Sequence, residues 1–272
     1  MIPADLHITS LTNPKIKNVV KLRNRSQRDS QRLLLAESYR DIKRALDAGY
    51  QPRQLFFCSE LFLKNENEAT LIERCRASGA EILSCSAAVF TKIAYRERPD
   101  GLLIVGPQLH TTLSAIPLPP DALLVVAEAI EKPGNLGTIL RTADAAAASG
   151  VIICDRCTDI HNPNVVRAST GIIFSMPLAE ATTAEAIAFL RQHQFSILAA
   201  TPHARQFHFN ANLTGRTAIV VGAEQYGLSQ TWLDAADLRV AIPMNGHADS
   251  LNVAAATTIL LFEAVRQRTQ TP

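Results

Sequence analysis

The stretch LLVVAEAIEKPGNLGTILRTADAAAASGVIIC, residues 123–154, decides the architecture of this chain. Two apolar runs, LLVVA and VIIC, flank a segment of helical character over 135–148. Strand, helix and strand within so short a length form a βαβ unit, in which the strands run parallel because the helix carries the chain back to the starting edge. The alternation continues outward. Toward the C-terminus come a polar loop, a helical segment at 183–193, SILAA, TAIVVG, a helical segment at 229–236, LRVAIP and a final helix over about 251–267. Such a pattern predicts a mostly parallel sheet covered on both faces.

In the other direction, GPQLHTTLSAIPLPPD carries Pro107, Pro117, Pro119 and Pro120, which fit neither a central strand nor a helix interior. The linker is therefore expected at 107–121, between a domain at 1–106 and a larger one at 122–272. In the first, short apolar runs at 33–36, 55–57, 81–83 and 102–105 alternate with amphipathic segments near 37–48 and 66–78, which reads as a smaller α/β domain.

The chain has 272 residues, 47% of them hydrophobic, enough for two cores. Its net charge of +2 hides an asymmetry. Residues 1–110 hold 17 Lys or Arg against 12 Asp or Glu, and the remainder 10 against 13. Much of the excess lies between Asn13 and Arg44, where Ile16, Val19, Val20 and Leu22 recur at near-helical spacing beneath a cationic surface. Clustered basic charge attracts phosphate, so Arg23, Arg25, Arg28 and Arg32, and separately Arg96 and Arg98, are candidate RNA contacts. A solvated helix face is the plainer alternative.

Five cysteines without framework spacing suit a reducing compartment. Cys154 and Cys157 form a CxxC, but no second Cys or His pair stands at zinc spacing, so neither a metal nor a disulfide scaffold is expected. No apolar run approaches the length of a membrane span, and MIPADLHITS lacks the features of a secretory leader, so a cytoplasmic location is expected.

Open parallel sheets bind ligands in loops beyond the carboxyl ends of their strands. Three such loops are unusual. The first, after LLVVA, holds Gly134, Asn135 and Gly137 with Arg141 following. The second, VVGAEQYGLS, sets Gly222 and Gly227 around Glu224. The third, IPMNGHADSLNVAAA, leads through a polar loop to Ser250, Leu251 and Asn252. None follows GxGxxG, which argues against nicotinamide or flavin. Plainer roles exist for each residue: Asn135 and Ser250 as helix caps, Ile242 and Leu251 as core, Glu224 as a loop charge.

Taken together, N-x-G-x-x-x-R-T-A at Asn135–Ala143, G-x-E-x-x-G-L-S at Gly222–Ser229 and I-P-M-x-G-x-x-x-S-L-N-V at Ile242–Val253 resemble the three signature motifs of the SpoU/TrmH branch of the SPOUT RNA methyltransferases. NPNVVRASTGIIFSMPL at 162–178 resembles that family's connector, and ITSLTNPKIKNVVKLRNR the opening of its appended substrate-binding domain. The resemblance implies an α/β catalytic domain with a deep trefoil knot, a rarity that topology rules alone would exclude. It also implies a ribosomal-protein-like RNA-binding domain, a homodimer, S-adenosylmethionine as cofactor, and methylation of a ribose 2′-hydroxyl in RNA, ribosomal in preference to transfer RNA. No membrane partner is implied.

By the same resemblance, Arg141 stands nearest the reacting hydroxyl and serves as its general base. A guanidinium is protonated at ordinary pH, so gripping the adjacent phosphate and easing the developing alkoxide is equally consistent. Asn135, Glu224, Ser250 and Asn252 match the other polar positions. Gly222, Gly227, Ile242, Met244 and Leu251 match positions that contact the cofactor. The alternatives are a transfer-RNA ribose methyltransferase, a non-catalytic RNA-binding or ribosome-assembly protein on this scaffold, and a base methyltransferase of another branch. A hydrolase using His247, Asp249 and Ser250 lacks a GxSxG elbow.

Overall fold

A computed structural model describes residues 6–63, 67–155 and 158–270. They fall into two compact units that divide between Leu109 and His110, and the segment Asp159–Ser175 packs with the first.

The first unit contains β1 (Leu6–Ile8), α1 (Pro14–Lys21), α2 (Arg25–Gln31), β2 (Leu33–Glu37), α3 (Tyr39–Asp47), β3 (Gln54–Phe57), α4 (Glu68–Ala77), β4 (Glu81–Cys85), α5 (Ala87–Ile93) and β5 (Leu102–Pro107). Its sheet runs β1-β4-β3-β5-β2, parallel across β1, β4 and β3 and antiparallel where β5 meets β3 and β2. α1 starts where Asn13 accepts the Lys15 amide at 2.9 Å and Pro14 supplies a fixed φ in the first turn. Its Ile16 and Val19, with Leu22 beyond its end, are almost wholly buried, each burial contributing about 1.5–3 kcal/mol.

The second unit begins with residues 110–121. These are packed rather than free: Ile116 is 5% exposed within the core, and the Thr111 carbonyl accepts the Glu180 amide at 3.2 Å. β6 (Leu123–Glu128), α6 (Pro133–Ala145) and β7 (Gly150–Cys154) form the predicted βαβ unit. α7 (Pro163–Ala168) belongs to the segment that packs with the first unit. Then come β8 (Leu178–Ala181), α8 (Thr183–Gln192), β9 (Ser196–Ala200), β10 (Gln206–Phe207), β11 (Thr217–Val221), α9 (Gln230–Ala235), β12 (Leu238–Ala241) and α10 (Val253–Gln270).

The seven strands of this sheet are parallel throughout, in the order β10-β12-β9-β11-β6-β7-β8. β6, β7 and β11 are buried along their whole length, as strands covered on both faces must be. Because all run one way, β6, β11 and β12 release their following loops at the same edge. Val221 pairs with Ala127, one residue before β6 ends. That edge is where the three unusual loops lie. α6 and α10, which follow the first and third loops, pack on each other, with Thr142 and Thr258 hydroxyls 3.2 Å apart.

Two boundaries differ from the sequence expectation. The tract 107–121 is not a free connector, because Ile116 is part of the core. Residues 159–175, continuous in sequence with the larger domain, pack with the smaller unit. The Asp159 carboxylate meets the buried Arg28 guanidinium at 2.5 Å, and Arg44 donates to the Thr170 carbonyl and hydroxyl at 2.7 and 2.6 Å. α7 lies against β2 with Val165 and Val166 buried. No helix of the described residues is long and apolar enough to cross a membrane.

Candidate active site

β6 ends in Glu128, a buried acid whose carboxylate accepts the Ser229 amide at 2.8 Å, fastening the loop after β11 to the end of β6. Beyond it, the Thr158 hydroxyl engages the Ile130 and Glu131 carbonyls, both at 2.6 Å, fixing the approach to α6. Pro133 opens that helix, and Asn135 lies in its first turn.

The loop after β11 is a tight turn built on two glycines. The Gly227 amide donates to the Ala223 carbonyl at 2.9 Å. A Cβ on Gly222 would stand 2.3 Å from the Gly227 carbonyl oxygen, and Gly227 has φ +68°, a region that strains other residues. G-x-E-x-x-G is thereby explained sterically.

That turn presents Glu224, whose carboxylate joins all three loops. One oxygen accepts from the Asn135 amide nitrogen at 2.6 Å and from the Asn252 amide nitrogen at 2.7 Å, and the other accepts from Lys132. Asn252 also donates to the Asn135 side-chain oxygen at 3.1 Å, while its own oxygen accepts the Ala254 amide at 3.0 Å at the start of α10. The Lys132 ammonium holds the Glu224 carboxyl below the ordinary range, Asn135 helping against slight desolvation, and Glu224 in turn raises Lys132. Beside the cluster is a small open depression lined by Ile130, Glu131, Lys132, Asn135, Glu224 and Val253.

The predicted residues divide accordingly. Asn135, Glu224 and Asn252 are brought together. Gly222 and Gly227 shape the turn. Arg141, on α6, and Ser250, in the third loop, are exposed and take no hydrogen bond or ion pair among the described residues, leaving both polar groups open to a ligand. Ile242 and Met244 are half-buried and Leu251 is 37% exposed, so the third loop turns apolar side chains partly toward solvent. Lys132, Glu128 and Thr158 were not anticipated. A charged residue ending the buried run LLVVAE was the available signal for Glu128. Nothing local marks Lys132, whose role depends on an acid 92 residues away.

In the first unit the basic tract is thinner than its sequence suggests. Arg28 is the clear correction: it is 1% exposed, donates to the Leu22 and Arg23 carbonyls at 2.7 Å, and pairs with Asp159, so no phosphate reaches it. Arg96 is half-buried, its guanidinium 3.4 Å from Asp41. Lys15 pairs with Glu81, and Lys43 with Asp47. Arg23, Arg25, Arg32 and Arg98 are exposed, although Arg23 also donates to the Lys92 and Ala94 carbonyls and Arg25 lies 3.4 Å from Asp29. Of the CxxC pair, Cys154 is a buried core thiol pushed up to about 12 by desolvation, and Cys157 lies outside the described residues.

A wholly parallel sheet whose strand-end loops converge on one polar cluster defines an open-sheet α/β ligand-binding protein. A family model described as the SpoU rRNA Methylase family matches residues 122–262, and one described as an MRM3-like substrate binding domain matches residues 13–104. The 23S rRNA (uridine(2479)-2′-O)-methyltransferase of Streptomyces viridochromogenes is 30% identical over 273 residues, spanning 98% of this chain and 94% of its own. An AdoMet-bound rRNA methyltransferase from Sinorhizobium meliloti has a similar structure, with a TM-score of 0.88 at 32% identity over 96% of this chain and 97% of its own. A solved RNA 2′-O ribose methyltransferase gives 0.85 at 41% identity over 97% and 100%. The chain belongs to the SpoU rRNA methylase family.

Proposed function

We propose that this protein transfers the methyl group of S-adenosylmethionine to a ribose 2′-hydroxyl of ribosomal RNA. The observation that carries the reading is the convergence of three loops, far apart in sequence, on the Glu224 carboxylate, in a chain whose relatives bear that activity in their names. The cofactor supplies an electrophilic methyl on a sulfonium, already a good leaving group. Its binding falls to the backbone of the Gly222–Gly227 turn and to Ile242, Met244 and Leu251, whose partly exposed apolar surfaces suit a purine ring.

The chain's own contribution is placement and charge. Holding a ribose oxygen in line with a methyl carbon lowers the barrier by up to about 7–11 kcal/mol. Glu224 fixes Asn135 and Asn252 in one arrangement, and Lys132 offsets a carboxylate that would otherwise repel a phosphodiester. Arg141, a free cation on α6, grips the phosphate beside the target ribose and eases the developing alkoxide. Ser250 supplies a further hydroxyl to the ribose. On the first unit, Arg23, Arg25, Arg32 and Arg98 offer phosphate contacts. The reading extends to a cytoplasmic homodimer with a trefoil-knotted catalytic unit, as the family resemblance implies.

The test pairs two measurements on Arg141→Ala. Calorimetric titration should show S-adenosylmethionine binding close to wild type, while methyl transfer falls about 10²–10³-fold, the usual loss for one electrostatic group aimed at developing charge. Retained turnover would remove Arg141 from the reaction, and a wild-type protein that binds no cofactor would end the assignment. Mapping 2′-O-methyl groups in total RNA with and without the gene identifies the nucleotide and separates ribosomal from transfer RNA.

A further inference from the structure

Tyr226 is 78% exposed, the most of any exposed large hydrophobic side chain among the described residues. It stands two residues beyond Glu224, on a turn held at both ends. The Gly227 amide closes on Ala223, and Glu224 is tied to Lys132, Asn135 and Asn252. The backbone beneath the ring is therefore fixed before any ligand arrives, which spares the ordering cost that a mobile loop bears on binding.

The chemistry around that turn is one-sided. Lys132, Asn135, Glu224, Arg141, Ser250 and Asn252 suit a ribose and its phosphate, but none offers a flat apolar face. An enzyme that takes a ribose from an unpaired or unstacked nucleotide must replace the stacking its base has lost. Aromatic side chains do this in single-stranded RNA recognition, with little regard to base identity.

We propose that Tyr226 is the platform on which an unpaired nucleobase of the RNA substrate stacks while its ribose enters the Asn135–Glu224–Asn252 cluster. This rests on the RNA-methylation reading above. The platform orders the nucleotide without choosing its base, so sequence selection falls to other parts of the molecule.

The molecule provides its own blank for the test. Its single tryptophan, Trp232, is 0% exposed and donates to the Thr183 hydroxyl, so RNA should leave wild-type tryptophan emission unaltered. In Tyr226→Trp, a mixed-sequence single-stranded RNA 12-mer should quench the new emission, and a 12-mer of the same backbone carrying abasic sites should not. Tyr226→Ala should weaken binding of the intact 12-mer about 5- to 150-fold, the range for losing one base–aromatic stack, while Tyr226→Phe, which keeps the ring, restores it. Unfolding midpoints of the same proteins should agree with wild type, since the ring is exposed. Equal quenching by the abasic strand, or unaltered RNA affinity in Tyr226→Ala, overturns the platform and leaves the methyltransferase reading standing. Wild-type protein that binds neither cofactor nor RNA overturns both.

Discussion

One open carboxylate and a cluster of three in the other unit show how differently one chemical group is used in this molecule. Glu224 lies open to solvent, each of its oxygens occupied, and its neighbours hold it ionised. In the other unit, buried Glu37 and Asp41 and half-buried Asp100 gather around Arg96. Glu37 accepts the Tyr95 and Arg96 amides, Asp100 accepts the Tyr39 amide, and Asp41 faces Arg96 and Arg40 at 3.4 and 3.8 Å. Each still has one buried oxygen without a hydrogen bond, and burial lifts all three, Asp41 to about 6. Full satisfaction at the surface makes a rigid scaffold for other side chains. Partial satisfaction in the interior makes a charge that folding must tolerate.

The contrast can be broken at its strongest point first. Arg28 and Asp159 form the most buried ion pair described, with side chains 1% and 5% exposed. Arg28→Ala strands a carboxylate in the core and should cost about 3–5 kcal/mol in urea unfolding of the full chain. Arg28→Met with Asp159→Leu, which removes both charges, should recover most of that. A loss below about 1 kcal/mol for the single change would mean that water reaches the pair.

The second effect concerns pH. Asp41 has a folded value near 6 against an ordinary value of 3.8, so the folded chain binds its proton more tightly than the unfolded chain does. Its contribution is therefore complete below about pH 4 and is lost as pH rises through about 6, a change on the order of 2–3 kcal/mol. Asp41→Asn should flatten the stability profile across that window. A wild-type profile that does not fall relative to that of Asp41→Asn between pH 4 and 6 would contradict the buried acid.

Glu224→Gln is the smallest effect expected on stability, and its signature is functional. The exposed turn should keep its fold, and the remaining amide oxygen still accepts from Asn135 and Asn252, while the link to Lys132 loses both its charge and its acceptor. Turnover should fall about tenfold, the lower end for a charge-assisted hydrogen bond because solvent screens this one. Unfolding midpoints should stay with wild type; a large stability loss would make Glu224 a structural group like Glu37.

The parallel sheet was legible because its signal is local. LLVVA, VIIC, SILAA and TAIVVG are runs that both-face burial demands, and each is a strand within a residue or two of its predicted place. β8 and β10 were not read. LAEA is short, carries a glutamate and lies at an edge, and β10 has only two residues. Asn135, Glu224 and Asn252 were visible through motif spacing, which reflects steric demands on their own loops, as at Gly222. Their mutual contact was not, since it depends on three loops leaving one sheet edge.

Charge in the first unit was the least legible feature. Arg28 and Arg25 look alike in sequence, both basic and both near the same helix, yet one is core and the other surface. The sequence by itself determined the alternation of strands and helices, the glycine-bound turn and the residue types offered to a ligand, because periodicity and backbone sterics act over a few residues. Only the tertiary structure decided which charges meet water and which meet each other, because dielectric surroundings and ion partners come from segments as distant as Arg28 and Asp159, 131 positions apart.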